Sequence, residues 1–268
     1  MASTPQPLWD LSLKVLGLTG AIGFLIILVI LVSLVISQNA SLPRVRRRGT
    51  PVHLLVMLGS GGHTAEMLAI LENQFDYSVY TYRTYVVSSG DDLSAKKAVE
   101  FEEKIAQQND NEKAADNYTV VTIPRARRVH QSYLTAPFST LHCFWACLLV
   151  LLGRHPDQRP LPAQYPSQHP DIILSNGPAV AVCMVLAAKF IRFFIYCFRW
   201  ASGRGSKPEI SRLRTIYVES WARVRTLSIS GRILLPIADK FLVQWQPLAG
   251  RRAWWGMKET EYCGWVVL

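Results

Sequence analysis

The stretch HLLVMLGSGGHTAEMLAIL, residues 53–71, constrains the fold more than any other part of the chain. His53 to Leu58 is a short apolar run, the length of a buried strand and too short for a helix that stands alone. GSGGH follows at 59–63, with three glycines in four positions. Glycine reaches backbone angles closed to other residues and lets a ligand come close to the main chain. From Thr64 onward the apolar residues Met67, Leu68 and Leu71 recur at helical spacing. A glycine turn that opens a helix points free N–H groups and the positive end of the helix dipole outward, which suits a phosphate. The plainer alternative is a tight strand-to-helix turn with no ligand.

The spacing differs from the dinucleotide fingerprint, because Thr64 stands where the third glycine belongs, and no GK[ST] follows to make a Walker loop. His63 sits at the mouth of the helix. A neutral imidazole has the pKa range to accept a proton from an attacking hydroxyl. Its alternative role is that of a polar turn residue that caps the helix or helps bind phosphate.

Further strands are expected at Tyr85–Ser89, Tyr118–Ile123, 171–178 (DIILSNGP), Thr215–Glu219 and Lys240–Trp245, giving six in all. Helices are expected at Leu93–Gln107, Leu134–Gly153 and Ala179–Phe198, and a partial one over Ser228–Ala238, where Pro236 must end or kink it. Five prolines in 154–170 mark an extended loop. Strands that alternate with helices imply a parallel sheet covered on both faces. Ligands of such sheets gather at the carboxyl ends of the strands, which brings GSGGH, Asn176, Gly177 and Glu219 toward one edge. For Glu219 the favoured role is structural, as a surface carboxylate or the partner of a nearby arginine. In RARRVHQSY, residues 125–133, the arginines Arg125, Arg127 and Arg128 suit phosphates or lipid headgroups as well as they suit a solvated basic turn.

Ahead of this domain, Leu16 to Ile36 is almost wholly apolar, close to the ~20 residues that span a bilayer core. Arg44, Arg46, Arg47 and Arg48 follow it, so the positive-inside rule places the N-terminus outside or luminal and the rest cytosolic. On that topology Asn39 and Asn117, each in a glycosylation pattern, stay unused. The chain then divides into a short tail (1–12), an anchor (13–37), a basic linker (38–51) and one domain (52–268). Leu134–Gly153 is expected to be partly core and partly pressed on the membrane surface. The net charge of +10 suits a membrane surface or a phosphorylated substrate; nucleic acid is set aside because no nucleic-acid motif is present. The odd count of five cysteines, mostly inside apolar runs, fits buried thiols in a reducing compartment, and no spacing suits zinc.

With these residues in place, the chain from about residue 50 to its end resembles a known family. That family is the membrane-anchoring subunit of the endoplasmic-reticulum transferase that adds the second N-acetylglucosamine to dolichol-diphosphate-N-acetylglucosamine. The motifs are GSGGHTAEM (59–67), RARRVHQSY, SNGP, and the long YVESWARVRTLSISGRILLPIADKFLVQW (217–245), with a closing YCGWVVL (262–268). Ala179 stands where the family usually has a second glycine after the proline, which argues against close ligand contact there.

The family resembles the N-terminal half of bacterial lipid-linked N-acetylglucosaminyltransferases. The resemblance thus implies an α/β fold: a single Rossmann-like domain, one half of a GT-B glycosyltransferase, with one N-terminal transmembrane helix. It implies that Gly59, Ser60, Gly61, Gly62, Thr64, Arg127 and Arg128 bind the acceptor diphosphate. His63 is then the candidate base and Asn176, Gly177 and Glu219 line the cleft, with no metal and no cofactor. The expected partners are a cytosolic catalytic subunit that holds most of the UDP-GlcNAc contacts and docks on the tail 262–268, the dolichol-linked acceptor, and the membrane of the endoplasmic reticulum or nuclear envelope. Alone the chain is expected to be inactive. The competing readings are a membrane-bound Rossmann oxidoreductase and a non-catalytic scaffold.

Overall fold

The computed structural model describes residues 50–266 except 75, 109–116, 128–130, 133, 166, 178 and 204–211, together with positions 19, 32, 35 and 38. Those four isolated positions are helical. The expected span 16–36, the arginines that follow it, Arg128 and the last two residues of the tail otherwise lie outside the described residues.

Seven parallel strands make one sheet: β1 (His53–Met57), β2 (Tyr82–Ser88), β3 (Tyr118–Ile123), β4 (Ile172–Asn176), β5 (Arg214–Val218), β6 (Lys240–Val243) and β7 (Glu261–Tyr262). Their order across the sheet is β3-β2-β1-β4-β5-β6-β7. The helices are α1 (Gly62–Gln74), α2 (Asp92–Gln108), α3 (Ala136–Leu151), α4 (Ala179–Ala201) and α5 (Ile229–Leu234). β1 is buried along its whole length, which is why it reads as an uninterrupted apolar run. Its side chains still alternate between two cores. Leu54 and Val56 pack with α1 and α2, while Leu55 and Met57 pack with α3 and α4. Cys143, Cys147 and Cys183 are buried free thiols in the second of these cores.

Two elements differ from the sequence reading. β2 begins at Tyr82, three residues earlier than expected, because the charge that hid its start is internal. Arg83 is buried and donates to Glu102 of α2 at 2.6 Å, and Tyr85 donates to the same carboxylate at 2.6 Å. β7 is a seventh strand where six were expected. It is two residues long and polar at its start, too short to show a period. It pairs with β6 through Leu242↔Glu261 and Val243↔Tyr262, and Cys263 N–H continues the ladder to Val243 O at 3.0 Å. The tail therefore folds back on its own domain as far as Val266, which joins the α1–α2 core. α5 stops at Leu234, before Pro236, as expected of that proline.

Among the described residues one stretch, Ala179–Phe198 of α4, is long and apolar enough to cross a membrane, and half of it is buried inside the domain. The two charges that interrupt it are not stray. Lys189 and Arg192 each donate to Asp239 at 2.6 Å, and Thr215 N–H donates to the same carboxylate at 3.0 Å. Burial alone would raise the Asp239 pKa; the charges of Lys189 and Arg192 outweigh it and hold the carboxyl at about 2. One side of α4 is thus tied into the β5–β6 region. Its other side is apolar and exposed at Phe190, Phe194 and Phe198, and Phe144 of α3 meets Phe190 at 5.8 Å. Leu134, just ahead of α3, and Phe138 in its first turn are 86% and 77% exposed, and Leu141 and Trp145 continue the surface.

Candidate functional site

Strand order reverses between β1 and β4: β1 leads to β2 on one side, while β4 leads to β5 on the other. The crevice beyond the carboxyl ends of these two strands is the topological switch point, where ligands of open α/β sheets bind. The 59–63 turn leaves β1 there, and Asn176–Gly177 leaves β4 there.

The turn is built from within. Gly61 has φ +64, a conformation that side chains rarely adopt. Thr64 donates its hydroxyl to Gly59 O and meets Ser94 Oγ at 2.7 Å. Both Gly59 and Thr64 are buried. The Thr64 hydroxyl is therefore committed to the turn, and its N–H donates to Gly61 O at 3.2 Å. Ser60, Gly61 and Gly62 are exposed, and a Cβ on Gly61 or Gly62 would meet nothing within 4 Å. The first N–H groups of α1, at Gly62 and His63, have no helical partner by construction. What the turn offers a ligand is main chain.

His63 is held from three sides. Its carbonyl accepts from Asn176 Nδ2 at 3.2 Å. Its ring lies on the main chain of Gly177, which has φ +80. Its Nδ1 is 3.8 Å from Glu66 Oε2, one helical turn along, and the side chain is 35% exposed. Nδ1 itself is shut off from solvent with no hydrogen-bond partner among the described residues. Sequence reasoning did not single out Glu66; in the helical pattern it reads as one more polar residue. In the structure it is buried and collects three donors: Trp221 N–H at 2.6 Å, Gln244 Nε2 at 2.6 Å and Ser220 Oγ at 3.1 Å. Those donors leave β5 and β6, so Glu66 joins the glycine turn to the far half of the sheet.

The remaining candidates divide. Asn176 and Gly177 do meet His63. Glu219 is not on the surface: it is 1% exposed and accepts from Ser228 N–H at 3.1 Å. A Cβ on Gly231 would overlap its carboxylate, so it is a structural group that braces the start of α5. Burial raises its pKa, against the bonds from Ser228. It is a buried carboxylate rather than a surface one, held by backbone N–H, and the charge of nearby Arg223 acts against the upward shift. Arg125 closes the turn after β2, donating to Ser89 O at 2.9 Å and Gly90 O at 3.2 Å. Arg127 is exposed and donates to Gln131 O at 3.2 Å. Arg128 lies outside the described residues.

Beyond β5 and β6 the same edge carries an aromatic group. Trp245 lies 6.0 Å from Trp221 and 5.7 Å from Trp265, ring to ring, and donates its Nε1–H to the Trp221 carbonyl at 2.7 Å. Trp221 and Trp265 are exposed, and Trp255 is 90% exposed.

A parallel sheet of this order, with a glycine turn and a seated histidine at its switch point, defines a Rossmann-type α/β domain. Comparison with known proteins narrows the class. The chain belongs to the Alg14-like family of oligosaccharide biosynthesis proteins, whose model matches residues 54–266. It is 56% identical over 220 residues to the UDP-N-acetylglucosamine transferase subunit alg14 of Aspergillus fumigatus, covering 72% of this chain and 96% of that one. It is 34% identical over 241 residues to the Schizosaccharomyces pombe subunit of the same name, covering 90% of this chain and 95% of that one. The mouse subunit is 32% identical over 238 residues, covering 89% and 93%. Among solved structures, the crystal structure of Acinetobacter baumannii MurG is similar with a TM-score of 0.41 and 14% identity; the match covers 80% of this chain and 45% of that chain, less than half its length.

Proposed function

We propose that this chain is the acceptor-presenting subunit of a two-part N-acetylglucosaminyltransferase. It anchors a cytosolic catalytic partner at the endoplasmic reticulum membrane and presents dolichol-diphosphate-GlcNAc for transfer of the second GlcNAc from UDP-GlcNAc. The observation that carries this reading is the seat of His63 beside an exposed main-chain turn at the switch point, in a member of the Alg14-like family. The N–H groups of Ser60 to His63 hold the acceptor diphosphate at the start of α1. His63 takes the proton from the sugar hydroxyl as it attacks the anomeric carbon of the donor, and the UDP leaves on the partner's side.

The single open sheet gives half a cleft. A transfer between two phosphorylated substrates needs a second wall, and a partner subunit supplies it together with most donor contacts. The exposed Trp221, Trp255 and Trp265 at the β5–β7 edge form an aromatic surface of the kind that anchors protein interfaces. The tail through Trp265 is the partner's docking site on this reading. The segment 16–36 spans the membrane once, with the domain on the cytosolic side. The exposed apolar face of α3 and α4 rests on the same membrane: Leu134 and Phe138 stand at the start of α3, and a helix that follows a parallel strand begins at the carboxyl edge, where the glycine turn lies.

Reconstitution tests the reading. The chain alone in lipid vesicles is expected to transfer nothing from UDP-GlcNAc to a lipid-diphosphate-GlcNAc acceptor, and the chain with its membrane-free partner is expected to be active. Equal activity of the partner without this chain would overturn the assignment.

A further inference from the structure

We propose that Glu66 is a positioning residue for His63: its carboxylate accepts the Nδ1 proton, fixing the tautomer in which Nε2 is free to take the proton of the acceptor hydroxyl. The proposal rests on the reading of His63 as the base.

Three observations carry it. First, the only ring nitrogen closed to solvent, Nδ1, has no hydrogen-bond partner among the described residues, and the nearest carboxylate oxygen is Glu66 Oε2 at 3.8 Å. A closed-off ring nitrogen is expected to find a partner. A shift of about 1 Å brings this pair within hydrogen-bond range, and such contacts tighten when a substrate fills the site. Second, the ring has little freedom to turn elsewhere. Gly177 lies against one face of it, and Asn176 holds the main chain of the same residue. Third, Glu66 is fixed more firmly than its role in the helix requires. Trp221 N–H and Gln244 Nε2 both hold Oε1 at 2.6 Å, and Ser220 Oγ holds Oε2 at 3.1 Å. That leaves Oε2, with one donor, as the atom that faces the imidazole. Proton bookkeeping is simple: Nδ1–H points to Glu66, Nε2 gains the acceptor's proton, and the resulting imidazolium is stabilised by the adjacent carboxylate. The donors to Glu66 belong to the segments after β5 and β6 that carry Trp221 and Trp245, so the base is aligned from the same edge that bears the aromatic surface.

Glu66→Gln tests this with little structural change. A glutamine carbonyl keeps the bonds from Trp221 N–H and Gln244, which turns its NH₂ toward Ser220 Oγ and His63 Nδ1. Nδ1 then accepts, the ring proton moves to Nε2, and Nε2 can no longer act as a base. In the membrane-reconstituted complex with the partner, Glu66→Gln is expected to lower kcat by about 10²-fold or more, within the range of a lost general base, with acceptor KM changed by less than about twofold. The double variant His63→Ala/Glu66→Gln is expected to be no slower than His63→Ala alone, because the two residues act as one unit. ¹⁵N spectra of the histidine ring in the unmodified complex are expected to show the Nδ1–H tautomer, a readout that needs no variant. An Nε2–H tautomer, or additive losses in the double variant, would overturn the proposal. Near-normal turnover of Glu66→Gln beside a slow His63→Ala would overturn it while leaving the base assignment standing. Near-normal turnover of His63→Ala would remove the base assignment and this proposal together.

Discussion

The imidazole of His63 rests directly on the main chain of Gly177: a Cβ at residue 177 would come within 2.7 Å of both Cγ and Nδ1 of the ring. Two loops far apart in sequence, one after β1 and one after β4, thus share a single packing contact at the centre of the crevice. The contact explains why a glycine follows Asn176, since Gly177 also has φ +80. It gives the first prediction. Gly177→Ala is expected to push the ring off its seat and to cost about 1–2 kcal/mol of stability from the left-handed conformation. Misplacement of a catalytic group by about 1 Å can cost 10²-fold in rate. A turnover loss of tenfold or more in a variant that still folds and binds its partner is expected, measured beside its thermal midpoint.

The glycine turn offers a cleaner probe of ligand approach than its central residue. Gly61 has φ +64, so any side chain there strains the turn itself. Gly62 has no such constraint and faces open space. Gly62→Val is therefore expected to leave the thermal midpoint nearly unchanged and to raise acceptor KM by about tenfold or more, by filling the space proposed for the diphosphate. Inorganic diphosphate as an inhibitor is expected to weaken in parallel. An unchanged KM would show that the ligand does not approach Gly62.

His53 makes the fold acid-sensitive. It is 1% exposed at the start of β1 with Nε2 bonded to Thr84 Oγ at 2.8 Å, and burial lowers its pKa to about 3. The unfolded chain takes up a proton below the ordinary value of about 6.5, whereas the folded chain resists until about 3. The contribution is complete above 6.5 and is lost as pH falls toward 3, by up to about 1.4 kcal/mol per pH unit. Chemical denaturation of the detergent-solubilised chain between these limits checks it. His53→Asn is expected to flatten that part of the pH profile.

For recruitment, removing 262–268 is a blunt test, because the structure places Tyr262 in β7 and Val266 in the core. Point changes on the exposed rings separate docking from folding. Trp265→Ala and Trp255→Ala are each expected to weaken partner binding by about tenfold or more while the chain stays folded. Co-purification with the partner from solubilised membranes reads this out. Undiminished recruitment by the double variant would place the partner elsewhere.

What the sequence shows of this molecule follows from where its signals are local. β1, the glycine turn and α1 are contiguous, so periodicity and composition reveal them together. Strands β3 to β6 are bounded by turn residues and are equally legible. The start of β2 is hidden, because Arg83 looks like a surface charge until its pairing with Glu102 is visible. β7 is illegible because two residues carry no pattern. The site divides the same way. His63 and the turn announce themselves, and Asn176 and Gly177 follow from the rule that ligands gather at strand ends. Glu66 is legible only once Ser220, Trp221 and Gln244, more than 150 positions away, come to meet it. The bonds that occupy Thr64 and Glu219 are likewise invisible in the sequence, which records a polar group without its partners.

The central claim is that this chain carries the general base of the transfer at His63. Its most direct test is steady-state transfer from UDP-GlcNAc to a lipid-diphosphate-GlcNAc acceptor by the reconstituted complex bearing His63→Ala, with folding and recruitment verified. The expected result is a fall in kcat of about 10²- to 10⁴-fold with acceptor KM nearly unchanged. Near-normal kcat in that complex would contradict the claim and leave His63 as one more part of the anion-binding turn.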